Sequence, residues 1–224
     1  MASCFAVCCF LVACACLVNA KSPRKMSSFE EPPQSSARRN YVAALLSPQV
    51  TYWGDWSAPA FCADGHFVYG MRLRVEESLG SKRDDTSLNA IEFLCAPIGT
   101  PHTVPSSTLK PHNGYWGNWR AEARCQQGKY AVGYRLRAEG QQSAHGDNVA
   151  ATNLRLLCTD SSTSWGSVTP VQTNGSGMDW GNWSGEQRCP LGSALCGLRV
   201  QVEAPVGGED DTALNNVVAY CCRI

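Results

Sequence analysis

Three glutamates, Glu76, Glu139 and Glu203, recur at a fixed spacing in this chain, and acidic clusters follow them at Asp84-Asp85, Asp147 and Asp210-Asp211. Paired carboxyl groups about 5 to 10 Å apart can transfer a glycosyl group, one acting as acid and the other as nucleophile or base. A plainer role competes for the glutamates. Each follows an Arg four residues earlier (Arg72, Arg135, Arg199), which predicts an ion pair across neighbouring strands, and a catalytic acid is rarely needed in three symmetric copies. The sequence therefore assigns no catalytic residue and keeps Glu76, Glu139 and Glu203 as the alternative. An aspartate in a loop can accept two sugar hydroxyl hydrogens, which makes Asp84, Asp85, Asp147, Asp210 and Asp211 the candidate ligand-binding residues. The competing role is to bond their own backbone and hold a turn, with Thr86 or Thr212 assisting.

Tryptophan is the other candidate for sugar contact, through stacking of an indole on an apolar sugar face. A Trp repeated at one strand position is expected instead to pack the interior or its ends, so Trp165, which lies outside the repeat, is the more suggestive residue. No Gly-x-Ser-x-Gly elbow, P-loop or dinucleotide fingerprint is present. The four histidines lie at no ligand spacing and there is no Cys-x-x-Cys pair, so neither a metal nor a cofactor is implied. Paired aspartates raise calcium as an idea, but the spacing of an EF-hand loop is missing.

The elements that must position these residues come in triplicate. Trp-Gly-(Asp/Asn)-Trp stands at residues 53–56, 116–119 and 180–183. Counting from the first Trp, each copy has Cys at +9 (Cys62, Cys125, Cys189), Gly at +17 (Gly70, Gly133, Gly197), Arg at +19 and Glu at +23. A second Cys closes each copy (Cys95, Cys158, Cys221). The chain is thus an internal repeat of about 63 residues, with units expected near 40–102, 103–166 and 167–224. Within a unit the apolar period is two: Leu73 and Val75 alternate with Arg72, Arg74 and Glu76, and Ile91, Phe93 and Cys95 with Glu92 and Leu94. An all-β fold with essentially no helix follows. One small sheet buries too little apolar surface alone, so three sheets are expected to enclose a common axis as a triangular prism. A β-trefoil uses shorter units and a propeller more blades.

Residues 1–20 carry no charge, run apolar from Phe5 to Val18 and end in small residues, as a secretory signal peptide does. Residues 21–39, rich in Ser, Pro and charge, read as a flexible leader, and Arg38-Arg39 raises the idea of a processing site. Removal of the signal leaves eight cysteines, an even number suited to an oxidising compartment. The repeat proposes Cys62 with Cys95, Cys125 with Cys158 and Cys189 with Cys221, leaving Cys196 for Cys222. Pairing of Cys189 with Cys222 is the competing choice, because adjacent Cys221 and Cys222 face opposite sides of a strand. From Asn40 onward there are 14 basic and 17 acidic residues, a balance that offers no footprint for nucleic acid. No later stretch is apolar for the length of a membrane span. Asn174 is the credible glycosylation acceptor, whereas Asn182, inside a WGNW motif, is expected to be too buried.

The WGxW motifs, the Cys at +9 and the ending Asp210-Asp-Thr-Ala-Leu-Asn-Asn-Val217 before Cys221-Cys222 resemble the vitelline membrane outer layer protein I family over residues 40–224. The resemblance implies a β-prism of three Greek-key sheets with pseudo-threefold symmetry, four disulfides, secretion and a place in an extracellular coat. It also implies contact with glycans or coat glycoproteins, a lectin-like fold and, as the alternative, a transferase action on N-acetylglucosamine oligosaccharides. Units one and three keep Asp-Asp-Thr where unit two reads Asp147-Asn148-Val149, so the middle acidic loop is expected to be the weak one. The reading at this stage is a secreted structural and binding component of a coat or mucus.

Overall fold

The computed structural model describes residues 39–80, 85–102, 105–142, 148–160, 163–164, 168–172, 177–207 and 211–224. The expected signal and the expected leader up to residue 38, Trp165, Asn174, Asp84, Asp147 and Asp210 lie outside them. Among the described residues there is no helix.

Each unit contributes one long antiparallel hairpin: β4 (His66–Val75) with β5 (Leu88–Pro97), β9 (Tyr130–Ala138) with β10 (Ala151–Thr159), and β14 (Ser193–Val202) with β15 (Leu214–Arg223). The remaining strands are short: β1 (Ala43–Leu46), β2 (Asp55–Trp56), β3 (Ala60–Phe61), β6 (Ser107–Leu109), β7 (Asn118–Trp119), β8 (Ala123–Arg124), β11 (Thr169–Val171), β12 (Asn182–Trp183) and β13 (Gln187–Arg188). Three equivalent sheets result, a β-prism in which a hairpin is flanked by short strands of the next unit. The first sheet runs β6-β5-β4-β7 with β8 also on β4. The second runs β11-β10-β9-β12 with β13 on β9. The third runs β1-β15-β14-β2 with β3 on β14, so the first unit closes onto the last hairpin. The sequence leads one to expect each unit to build its own sheet; instead every sheet spans two units.

The period of two sorts the hairpin residues. Met71, Leu73, Ile91 and Phe93 of the first sheet meet Tyr134, Leu136, Leu154 and Leu156 of the second, and Leu198, Val200, Val217 and Ala219 of the third, in one interior cluster. Tyr134 is wholly enclosed there, and its hydroxyl shares one proton between the Leu45 (2.8 Å) and Val217 (3.0 Å) carbonyls, tying the second sheet to the third. Burial pushes its phenol far above the ordinary range, so it remains a donor.

The repeated Cys positions acquire a reason from the strand exchange. Cys62 donates its N–H to Cys196 on the third sheet, Cys125 to Tyr69 on the first and Cys189 to Val132 on the second. Their bridges run to Cys95, Cys158 and Cys221, each on the following sheet, so three disulfides pin the three edges of the prism. The fourth, Cys196 to Cys222, lies on the outer face of the third sheet, while Cys221 belongs to the interior.

Candidate functional site

At one end of the prism each hairpin returns through a loop held by the same devices. Ser87, Ala150 and Ala213 adopt left-handed backbone (φ 52°, 49° and 51°), a strained conformation for a residue with a side chain. Their carbonyls accept from the Glu76, Glu139 and Glu203 N–H groups at 2.9, 2.8 and 2.8 Å. The acidic cluster then closes the loop: Asp85 accepts from Leu79 N (2.6 Å) and Ser78 Oγ (3.0 Å), and Asp211 from Val206 N (2.8 Å). Unit two does the same with an amide, Asn148 Oδ1 accepting from Gln142 N at 2.6 Å. A neutral oxygen serves there, so the duty is geometric and needs no charge. Asp85 and Asp211 are 5% and 8% exposed and present the loop, with little surface for a ligand.

The repeated glutamates take a partner other than the expected Arg. Glu76 Oε2 accepts from Thr86 Oγ1 (2.6 Å) and N (3.3 Å), and Glu203 Oε2 from Thr212 Oγ1 (2.7 Å) and N (3.1 Å). Arg72 instead pairs with Glu92, directly opposite it on β5. In unit two Val149 replaces the Thr and supplies no hydroxyl.

The tryptophans are placed by close packing of the WGxW turn. Gly54, Gly117 and Gly181 have φ of +83°, +74° and +71°, and a Cβ on any of them would lie 2.1 to 2.3 Å from the backbone at the end of the neighbouring hairpin. The second Trp of each motif lies on an outer face under a guanidinium: Trp56 below Arg199 (5.4 Å), Trp119 below Arg72 (4.9 Å) and Trp183 below Arg155 (4.5 Å). None of these indoles fills the interior, which leaves the ends of the two places expected from the sequence. Trp53 is buried at the loop end, and Trp116 and Trp180 are half-buried.

Between hairpin end and WGxW turn lies a cleft. On the first sheet it encloses about 390 Å³ and is lined by Glu76, Glu77, Leu79, Gly117, Asn118 and Arg120, with Val75 at its base. Arg120 Nη2 meets Glu77 Oε1 at 2.7 Å, and its Nε is buried without a partner among the described residues. Leu79, held by Asp85, is 45% exposed. Arg74 fixes the adjoining loop by donating to the Asn113, Gly114, Tyr115 and Gly117 carbonyls at 2.9 to 3.4 Å. That loop carries exposed Tyr115 against His112 (5.3 Å) and Trp116 (5.5 Å). Burial lowers the His112 pKa, and its Nδ1 accepts from Gly114 N, so the ring is neutral near pH 7. The counterpart on the second sheet, also about 390 Å³, is walled by Pro48 to Val50, Leu136, Ala138, Gly140 and Trp183 and has no ion pair. By register, Ala204 and Ser57 stand at the third sheet where the first has Glu77 and Arg120.

The family model for vitelline membrane outer layer protein I matches residues 43–224. The chain belongs to that family. Among its relatives, the human vitelline membrane outer layer protein 1 homolog is 37% identical over 196 residues, covering 85% of this chain and 88% of the relative. The Mus musculus homolog is 34% identical over 173 residues, covering 76% and 78%. Solved structures similar to it include a mannose-specific jacalin-related lectin from Morus nigra, at TM-score 0.44 and 7% identity over 86% of this chain and 99% of that one. A mannose-binding jacalin-related lectin from Ananas comosus follows at TM-score 0.41 and 11% identity, over 81% and 99%.

For this family member, the cleft residues Glu77, Asn118, Arg120 and the aromatic pair His112 and Tyr115 were not singled out by sequence reasoning. Their signal was present as breaks in the repeat: Glu77 stands where the other units have Gly140 and Ala204, and Arg120 where they have Ser57 and Ser184. Asn182 corrects a further expectation. It is exposed on a two-residue edge strand, accessible rather than buried. No group of three or more metal-ligating side chains gathers among the described residues, and no helix there is long and apolar enough to cross a membrane.

Proposed function

We propose that this protein is a secreted, non-catalytic component of an extracellular coat or mucus, and that it holds glycans or glycoproteins through the cleft at the end of the first sheet. The observation that carries the reading is the chemistry of that cleft. A sugar ring offers hydroxyls and an apolar face together, and here a carboxylate, a guanidinium and an amide (Glu77, Arg120, Asn118) stand beside the exposed side chain of Leu79, in a volume suited to one or two sugar units. Asp85 enters as a positioning residue, since it fixes the Leu79 backbone; Asp211 holds Val206 in the same way on the third sheet. Four disulfides suit an oxidising extracellular space. The relatives' names refer to the outer layer of a vitelline membrane, in keeping with a coat.

One observation favours the transferase alternative: Glu76 and Glu77 line the same cleft. Against it, Glu76 already accepts two hydrogen bonds from Thr86, which tie its carboxyl group to the loop. Incubation with chitotetraose, read by calorimetry and by mass spectrometry of the sugar, separates the readings. Binding that weakens about tenfold or more in E77A and R120A, with chain length unchanged, supports the binding role. New chain lengths that vanish in E76Q overturn it.

A further inference from the structure

At one register position the three sheets differ in charge. Arg72 faces Glu92 in the first sheet and the two form an ion pair. Arg199 faces Val218 in the third. In the second, Arg135 faces Arg155, so two arginines stand directly opposite each other on one outer face. Residues opposed across an antiparallel pair have their Cβ atoms about 5 Å apart, and like charges there repel. Among the described residues neither arginine meets a carboxylate. Arg135 donates Nε to the Ser184 carbonyl at 2.7 Å, and Arg155 donates Nε and Nη2 to Gln172 Oε1 at 3.0 and 2.7 Å. Arg155 also lies over the Trp183 ring, 4.5 Å from its centre. Arg137, one outward position from Arg135, lies 6.0 Å from the same ring and pairs with Asp179, whose side chain is 95% exposed.

Both guanidinium groups are therefore held in place by neutral acceptors and an aromatic ring, with their charge unspent. We propose that the outer face of the second sheet is an anion site that takes a sulfate ester or carboxylate of an acidic glycan between Arg135 and Arg155. A guanidinium presents two parallel N–H groups to such an oxyanion, and an anion seated between the pair replaces their mutual repulsion with two charge-assisted contacts. Gln172, as a neutral acceptor, orients Arg155 without neutralising it. The glycan as carrier of the anion rests on the function proposed above; the site itself rests on the register and the arginine geometry.

The test is calorimetric titration with three tetrasaccharides at about 50 mM salt, where charges act over more than 10 Å. Chondroitin sulfate carries sulfate and carboxylate, hyaluronan carboxylate only, and chitotetraose neither. R155E rebuilds the Arg-Glu pairing of the first sheet, and R155Q removes the charge while keeping a polar side chain, so a folding failure of one leaves the other. Thermal unfolding checks both. The expected result is binding of one or both acidic tetrasaccharides that weakens about tenfold or more in R155E and R155Q and with added salt. Loss of hyaluronan binding alone against retained chondroitin sulfate binding identifies sulfate as the required group. Binding of all three sugars with equal affinity, unaffected by either variant, overturns the anion site and leaves the glycan reading standing. No binding of any of the three overturns both.

Discussion

Thr212 is the hinge of the buried clasp at the end of the third sheet, and Thr212→Val isolates its hydroxyl at nearly constant volume. The hydroxyl donates to Glu203 Oε2 at 2.7 Å and accepts from Asn215 Nδ2 at 2.7 Å. All three residues are 4% exposed or less, so water does not replace what is lost. A hydrogen bond to a charged group contributes about 1.5 to 3 kcal/mol and a neutral one about 1 kcal/mol. Asn215 keeps its 3.2 Å bond to the Ala213 carbonyl, and Glu203 keeps the Thr212 N–H, so the net loss is about 2 to 4 kcal/mol. At about 2 to 4 °C per kcal/mol for a domain of this size, the melting temperature falls by roughly 4 to 16 °C. Thermal and denaturant unfolding with the disulfides intact measures it. Thr86→Val should cost less, because Glu76 is half-buried and solvent reaches its carboxylate. Val149→Thr in unit two should change stability by less than about 0.5 kcal/mol. Thr152 stands there in place of the Asn and spends its own hydroxyl on the Trp180 carbonyl. A Thr212→Val variant within about 0.5 kcal/mol of the parent would refute the claim that the clasp is a stabilising buried network.

Gly117→Ala places a methyl group about 2.3 Å from the Val75 and Glu76 backbone at φ +74°, so the soluble yield should collapse or the melting temperature drop more than for Gly128→Ala, where nothing lies within 4 Å; parallel expression and melting decide it. The Arg39 side chain is 10% exposed, donates to the Ala63 and His66 carbonyls at 3.1 and 2.6 Å and lies over Phe67, so trypsin should leave the Arg39-Asn40 bond of the native protein intact and cut it in F67A, as read by N-terminal mass spectrometry. Burial lowers the pKa of His102 and of His112, so both rings bind protons more weakly folded than unfolded. Their contribution is complete above the ordinary value of 6.5 and declines as pH falls through the lowered values. A melting temperature that falls less steeply from pH 7 to pH 5 in H102N/H112N than in the parent is expected, and identical slopes would refute the assignment.

The faces of the strands and the sulfur positions were legible because both follow local rules: a period of two fixes which side of a strand a residue takes, and recurrence of Cys62 and Cys95 at a constant separation marks them as one structural pair. Partners across the sheet were not legible. Alternation states that Arg72 faces outward and leaves open whether Glu76 or Glu92 meets it, since that depends on the hairpin register and on the bulge between Arg74 and Val75. The exchange of short strands was hidden for the same reason, because a two-residue strand such as Asn118–Trp119 carries no periodicity from which to infer its neighbour. Asn182 was misjudged because its motif was expected to be packed as a whole, whereas a strand alternates: Trp183 is half-buried under Arg155 while Asn182 faces solvent.

Triplication separates scaffold from function by its exceptions. Gly54, Gly117 and Gly181 cannot vary, since a side chain at any of them strikes backbone, and the Cys pairs cannot vary without unpinning an edge of the prism. A residue kept in all three units is accounted for by the frame alone. Positions at the hairpin ends and on the outer faces carry no such constraint, and there the three sheets diverge: Glu77, Gly140 and Ala204 at the hairpin end, and Glu92, Arg155 and Val218 on the outer face. A threefold scaffold with identical faces would offer one ligand three equal sites. These faces are chemically distinct, polar and ion-paired at the first cleft and doubly cationic on the second sheet, so the recognition proposed above belongs to single faces.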